Sequence, residues 1–268
     1  MKTLLIVIIL YISAFQAISQ ELKVKKVKQK LFNEDFQIEK KTKQMNGYYL
    51  KLNPKSGDTL VSGQYKNNIQ AGTWIYYNQS RRPIIKYNFD KDSCIWISEE
   101  VNLRDSFLIK SYKKFVLALP QRSPVFLGFK GELEQLLADE IETPFSIVQS
   151  WSQKQFLYSF TVDKTGRIAE VADVESDDKK TNATVHQILA KPELRWLPAI
   201  LNNYPFETKF YLSVNMQPVG TEPQEPAKPF IICVNVRYAG VIKPTTNPKR
   251  SIGYQVIDIP ANELKFRK

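Results

Sequence analysis

The chain has 268 residues, 43% of them hydrophobic, and its 38 Lys and Arg against 27 Asp and Glu give a formal charge of +11. This length and composition are typical of a globular protein with one large or two modest cores. A basic surplus is also found in nucleic-acid binders, but here the lysines are spread along the chain without a helix-turn-helix, ribonucleoprotein or zinc-finger pattern. We therefore predict no nucleic-acid partner, while weak contact with an anionic membrane surface or peptidoglycan fits the charge.

Residues 1–19 have the pattern of a signal peptide. Lys2 precedes the apolar run Leu4 to Ala17, and Ala17-Ile18-Ser19 is a small-x-small cleavage site. The run of about 14 apolar residues is shorter than the ~20 that a membrane-spanning helix requires. We predict cleavage and a periplasmic or secreted protein, and retention as an inner-membrane anchor is the alternative.

The N-terminal half divides into a lysine-rich part and a β-prone part. Residues 20–46 form a basic lead-in that we predict to be flexible or partly helical. In residues 47–119, short β-prone runs are separated by breaks rich in Asn, Asp and Gly, which predicts an antiparallel β-meander. Residues 101–119 hold no single period, so either a helix or a strand pair fits them.

One motif in this region resembles a known repeat. The run Gly63-x-Tyr65, followed by Gly72-x-Trp74-x-Tyr76-Tyr77, is similar to the MORN-variant (YwqK-like) repeat, in which each unit forms one hairpin. Glycine permits close backbone approach, and the aromatic pair covers a sheet face. The aromatic residues could form a ligand or glycan surface, but we favour their interpretation as sheet core and rim.

Residues 156–216 carry the clearest fold pattern. Phe156 to Asp163 alternates apolar and less apolar residues, and a turn around Gly166 leads into the β-branched run Ile168 to Val174, which predicts a hairpin. A short helix carrying Val185, Ile188 and Leu189 on one stripe ends before Pro192, and Phe210 to Met216 alternates again. The predicted unit is β-β-α-β.

Three motifs within residues 124–216 together resemble the C-terminal domain of TonB-type energy transducers. They are Phe160-x-Val162-x-x-x-Gly166-x-Ile168, Trp196-x-Pro198-Ala199 and Phe210-x-Leu212-x-Val214. Upstream, Pro124 to Phe129 resembles the family's Pro-x-Phe-x-Gly-Gly entry, with Phe129 in place of the second glycine. The resemblance implies a small α+β module that binds, without chemistry, a short extended peptide of outer-membrane receptors.

The last strand of this unit is the predicted peptide-binding surface. It joins the hairpin after the helix, so we expect an edge strand that accepts an added strand. Its alternate polar side chains would face solvent. The alternative is that a tail strand, residues 230–238, folds back through the proline-rich linker 217–229 and fills the edge. The predicted binding residues are Lys209, Phe210, Tyr211, Leu212, Ser213, Val214, Asn215 and Met216.

The remaining features give little sign of chemistry. His186 is the only histidine, and no zinc, redox or phosphate-loop motif occurs, so we predict no catalytic residue, metal or cofactor. The acidic residues between Glu132 and Glu142 are interpreted as a solvated helix face. Cys94 and Cys233 lie in separate apolar runs, and we favour two buried thiols over a disulfide bond.

The predicted fold class is α+β, with an N-terminal antiparallel β-meander, a small β-β-α-β TonB C-terminal-like domain at 124–216, and a β-rich C-terminal extension at 230–268. The leading hypothesis is an exported, non-enzymatic binding or adaptor protein of the cell envelope. Its partner would be a protein or peptide, such as an outer-membrane receptor segment, in connection with outer-membrane transport. The alternatives are a TonB-type energy transducer at the inner membrane and a cell-wall hydrolase.

Overall fold

The structure, a computed structural model, describes residues 21–239. The predicted signal peptide and most of the C-terminal extension lie outside the described residues. The described residues divide into two compact units, the first containing 21–81 together with 86–95, and the second containing 82–85 together with 96–239. Antiparallel sheets dominate, and the first is a meander, which confirms this coarser part of the predicted fold class.

The meander is a seven-stranded sheet in which the strands follow one another in chain order. All neighbours with a described register are antiparallel. The strands are β1 (Leu22–Lys28), β2 (Asn33–Glu39), β3 (Met45–Leu52), β4 (Thr59–Lys66), β5 (Ile69–Tyr77), β6 (Pro83–Asn88) and β7 (Ser93–Ile97).

The basic lead-in differs from its prediction, because its residues form the first two strands of the meander. Leu22 pairs with Glu39 and Lys28 with Asn33 along the whole hairpin. The Lys26 Nζ lies 3.0 Å from the Asp35 Oδ2. Opposite charges on facing strands stabilise the pairing. The lysine-rich segment considered alone does not include this cross-strand attraction.

An aromatic row packs on one face of the first unit. The Trp74 ring stacks on Tyr49 with centroids 5.3 Å apart and meets Tyr65 edge-on at 5.2 Å. Trp74 is only 2% exposed. A Cβ atom at Gly63 would lie 2.3 Å from the Trp74 ring, so glycine is required for the close approach of β4 to the indole. This burial agrees with the sheet-core interpretation of the aromatic residues.

Among the residues that the structure describes, the second unit contains a six-stranded sheet, two small two-stranded sheets and three helices. Its strands are β8 (Phe107–Ser111), β9 (Lys114–Ala118), β10 (Val125–Phe126), β11 (Lys154–Val162), β12 (Ile168–Glu175), β13 (Trp196–Leu197), β14 (Ala199–Leu201), β15 (Tyr204–Phe206), β16 (Thr208–Pro218) and β17 (Ile231–Tyr238). The helices are α1 (Glu132–Glu140), α2 (Phe145–Ser150) and α3 (Lys179–Leu189).

The larger sheet has the order β12-β11-β16-β8-β9, and β17 also pairs with β16. Residues 101–119, which fitted either a helix or a strand pair, contribute the hairpin β8–β9. This hairpin joins β16 through Thr208↔Ile109 and Lys209↔Leu108. The predicted meander region at 47–119 is therefore shared between two sheets, because Phe107 and Ile109 are buried in the core of the second unit.

The predicted hairpin and helix occur where the periodicity placed them. Strands β11 and β12 are antiparallel, and the Asp163 Oδ1 accepts hydrogen bonds from the backbone N–H groups of Thr165 (2.8 Å) and Arg167 (3.0 Å) in the connecting turn. Helix α3 begins after Asp178, whose carboxylate accepts a 2.8 Å hydrogen bond from the Thr181 N–H. The apolar stripe of this helix is buried against the sheet.

Trp196 lies in the middle of the second core. Its ring centroid is 4.8 Å from that of Phe210, 5.9 Å from Phe160 and 5.4 Å from Phe126. The side chain therefore connects the small sheet β10–β13 with the central strands β11 and β16. Within residues 21–239, no helix combines the length and apolar character that crossing a bilayer requires.

Candidate functional site

Strand β16, the predicted binding strand, lies inside the sheet. On one side it pairs antiparallel with β11 along its length, from Thr208↔Val162 to Met216↔Lys154. On the other side β8 covers residues 208–209, and β17 runs parallel from Tyr211↔Ile231 to Pro218↔Tyr238. Both backbone edges of β16 are thus occupied.

The prediction of a vacant edge is therefore wrong, and the alternative that the tail strand fills it is correct. The physical reason is apolar burial, since Val234, Val236 and Tyr238 on β17 enter the same core as Leu212, Val214 and Met216 on β16. Strand pairing alone would be a small gain beside the burial of these side chains. The β-rich composition of residues 230–238 is the sequence signal for this strand.

The second face of β16 is also covered, which corrects the prediction that its polar side chains face solvent. Ser213 and Asn215 are buried. The Gln155 Nε2 donates a 2.7 Å hydrogen bond to the Ser213 Oγ, which in turn donates to the Asn215 Oδ1 at 2.9 Å. Buried polar groups need such partners. Periodicity identifies two faces but not whether both are covered.

Only the start of the predicted binding strand keeps partly exposed polar side chains. Lys209 and Tyr211 are half-buried, and the Lys209 Nζ lies 5.5 Å from the Tyr211 ring and 5.8 Å from the Phe115 ring. These distances are in the range of cation–π contacts. In this state of the chain, residues 209–216 offer no open strand edge to a partner.

The acidic helix face is likewise only partly solvated. Glu132 and Glu134 on α1 are both buried, which corrects the prediction for these two residues. The Glu132 Oε2 accepts a 3.1 Å hydrogen bond from the Phe129 N–H at the start of the helix. Burial raises the pKa of Glu134 to about 7, so this carboxyl group is neutral at mildly acidic pH. Helix α1 packs against β17.

His186 takes part in a polar cluster that connects α3 to the hairpin. Its Nε2 lies 2.7 Å from the Asp173 Oδ1, and the Asn182 Nδ2 donates to the Asp173 Oδ2 at 3.0 Å. The Tyr158 hydroxyl donates a 2.8 Å hydrogen bond to the Asn182 Oδ1, and burial raises the pKa of Tyr158 to about 12. The cluster aligns no nucleophile with the histidine, and its geometry is that of a packing contact.

The cysteines and acidic residues give no sign of redox or metal chemistry in residues 21–239. Cys94 and Cys233 are not joined by a disulfide bond. Burial, with a smaller contribution from the Glu134 charge, raises the pKa of Cys233 to about 11 and lowers its reactivity. Within the same range, no three His, Cys, Asp or Glu side chains are grouped so that they could hold a metal ion.

Comparison of the chain with protein-family models, curated proteins and solved structures gives no match. The described residues themselves define a mainly antiparallel β protein. In its second unit, the predicted peptide-binding strand β16 is paired with a strand from the same chain.

Proposed function

We propose that the chain is an exported, non-enzymatic binding or adaptor protein of the cell envelope that takes an extended peptide by β-strand addition beside β16. The resident strand β17 occupies this position until a partner peptide replaces it. The observation that carries the proposal is that β17 reaches β16 through a separate connection, residues 219–230, and already pairs as an added strand would.

The pairing of β17 supports exchange. Its register with β16 is parallel, whereas β11 and β8 are antiparallel to β16. Parallel pairing is slightly less stable per residue, so an antiparallel peptide could form the better ladder. Residues 219–230 contain three prolines. Among the described elements, only β17 and this connection have to leave for the edge of β16 to open.

The core determines which peptides would fit. When β17 leaves, it empties the buried positions of Val234, Val236 and Tyr238. The partner must therefore supply an apolar side chain at every second residue. The opposite face, where Cys233 and Asn235 lie, tolerates small polar side chains. We therefore propose that the partner is an extended segment with alternating apolar and polar residues. The receptor peptides that the TonB resemblance implies fit this description.

A disulfide lock tests the exchange directly. Ser213 and Cys233 are register partners on adjacent strands, so Ser213→Cys in a Cys94→Ser background should join β16 to β17 on oxidation. The probe is a fluorescent peptide with the sequence of residues 231–238, flanked by solubilising lysines and carrying serine in place of Cys233 so that it cannot exchange with the disulfide bond. We expect it to enter the reduced protein and the Ser213→Ala control, and not the oxidised protein.

A second peptide controls for non-specific adhesion. With proline in place of the residue corresponding to Val234, the probe loses a backbone donor and should not be incorporated. Equal incorporation of the first peptide into the oxidised and reduced proteins would show that β17 does not need to leave. The strand-exchange proposal would then be abandoned.

A further inference from the structure

A small polar cleft lies beside the C-terminal half of β16, separate from the strand edge discussed above. Its volume is about 160 Å³, the liquid-phase share of about five water molecules. This is smaller than the ~300–1,000 Å³ of sites for drug-sized apolar ligands. Five of the lining side chains are carboxamides: Gln153, Gln155, Asn215, Gln217 and Gln224.

The floor of the cleft has unused hydrogen-bonding capacity. Gln217 is only 2% exposed, and its Nε2 has no hydrogen-bond partner among the described residues. Asn215 is 3% exposed, and its Nδ2 has only a long 3.5 Å contact with the Ser213 carbonyl oxygen. Burying an unpaired donor is costly, so a site of this kind favours a ligand that brings acceptors.

The charges around the cleft favour a neutral ligand. The one cationic side chain in the lining, Lys154, has its Nζ 2.6 and 2.8 Å from the two carboxylate oxygens of Asp177. This pairing also lowers the pKa of Asp177, so the pair stays ionised and mutually compensated. The rim residues Gln153 and Gln224 are exposed, and each offers both a donor and an acceptor.

An exposed aromatic residue lies close in the chain to the lining residues of the cleft. Trp151 is 54% exposed, two residues before Gln153, and adopts φ 50° at the end of α2, a conformation in which glycine is favoured. Its ring meets Tyr238 edge-on at 6.0 Å, and Tyr238 pairs with Pro218, the neighbour of Gln217. The Tyr238 hydroxyl donates to the Ser152 carbonyl oxygen, which holds the two segments together.

We propose that this cleft binds one neutral pyranose ring of a glycan. The carboxamides of Asn215, Gln217 and Gln224 would bond its hydroxyl groups, and the face of the Trp151 indole would cover its C–H surface. The alternating donors and acceptors of a sugar ring match carboxamides, which carry both on one side chain. The site is complete with β17 in place, and strand exchange would remove part of it, because Gln224 belongs to the connection that leaves with β17 and is held by Asn235.

The test uses the intact mature chain and four probes: glucose, galactose, mannose and N-acetylglucosamine. Saturation-transfer NMR should show contact between the protein and at least one ring, and sorbitol serves as an open-chain control. Because the ligand is neutral, the measured affinity should not change between low and high salt. Tighter binding of glucuronate than of glucose, with an affinity for glucuronate that falls with salt, would instead indicate an anion site beside Lys154 and overturn the proposal.

Two substitutions separate binding from a structural role. Gln217→Met keeps the side-chain length and removes the unpaired amide, so binding should weaken by roughly tenfold while the melting temperature is unchanged or higher. Trp151→Ala should weaken binding similarly, and Tyr204→Ala, which removes another exposed aromatic side chain of the same unit, should not.

Two results would overturn the proposal. One is the absence of saturation transfer to all four sugars, with water alone occupying the cleft in a crystal soaked with them. The other is sugar binding that is equally strong in the Gln217→Met and Trp151→Ala variants.

Discussion

The backbone N–H of Trp196 donates a 2.8 Å hydrogen bond to the carbonyl oxygen of Gly166. These two residues come from separate motifs of the sequence: the hairpin turn between β11 and β12, and the elbow, residues 196–199, which precedes β16. At Gly166, φ is +77°, and a Cβ atom would lie 1.9 Å from the Trp196 carbonyl oxygen. The turn and the elbow are thus in contact through their backbones, at a point where only glycine fits.

Gly166→Ala should therefore destabilise the second unit. Both the left-handed backbone and the contact with a rigid carbonyl group oppose the new methyl group, and we expect a loss of at least about 2 kcal/mol in the free energy of unfolding. Thermal unfolding measures the loss. Gly220→Ala is the matched control, because Gly220 has φ +91° with no heavy atom within 4 Å of the built Cβ. Equal losses in the two variants would contradict the contact argument.

Trp196→Ala should be among the most damaging substitutions in the second unit. Removing a buried aromatic ring typically costs about 3–5 kcal/mol, and Trp196 packs on three other aromatic rings. Trp196→Phe should lose less, because the buried indole Nε1 has no hydrogen-bond partner among the described residues. Urea unfolding of the whole chain is the measurement, since β8 and β17 complete this core.

Trp151→Ala provides the comparison for this experiment. Trp151 is mainly exposed, and its truncation should change the free energy of unfolding by less than about 1 kcal/mol. If Trp196→Ala were as mild as Trp151→Ala, the elbow would not be a packing centre.

The pH dependence of the free energy of unfolding should reveal the raised pKa of the buried Glu134. Its pKa is about 7 in the folded chain and close to 4.5 when unfolded, so the folded state binds more protons between these values. The stability that this group contributes is fully present below about pH 4.5 and is lost as pH rises through 7, by about 3 kcal/mol in total. Glu134→Gln should remove this loss and be more stable than the parent chain at pH 8.

Glu140→Gln is the control for the titration, because Glu140 lies on the same helix and is exposed. Denaturant unfolding from pH 4 to pH 8 gives the required curves. Parallel curves for Glu134→Gln and the parent chain would show that the carboxyl group of Glu134 stays ionised and solvated in the folded protein.

Gly63→Val should destabilise the first unit and leave the second unchanged. The new side chain would meet the Trp74 ring, which is held between Tyr49 and Phe89 and cannot easily move. We expect a cost of about 1–3 kcal/mol from overpacking. Native-state hydrogen exchange separates the units, with Val61 reporting the first and Leu212 the second. Unchanged exchange at Val61 would contradict this packing.

Local sequence patterns predicted several elements correctly because they depend on near neighbours. The alternation of residues 156–162 and 210–216 predicted strands, the turn at Gly166 predicted a hairpin, and the stripe of Val185, Ile188 and Leu189 predicted a helix. In each case the dihedral preferences and the side-chain period are properties of a short segment.

The same local reasoning failed where contacts with a second segment determine the conformation or the burial of the first. The lysine-rich β1 is a strand because the acidic β2 pairs with it, and a segment considered alone carries no trace of that partner. Glu132 and Glu134 were expected to be solvated because carboxylates on helices usually are. Their burial depends on the way α1 packs, which its own sequence does not specify.

By itself, the sequence determined that residues 209–216 form a strand with an apolar face, and that a second strand-forming segment follows the proline-rich connection. Only the tertiary structure decided that this second strand, β17, pairs with β16, so that the strand predicted to be an open edge became an internal one. It also placed Trp151 beside Tyr238 and Gln217 beside Gln224. The physical reason is that periodicity records which side chains avoid water, whereas pairing depends on the free energy of contacts between segments distant in the chain.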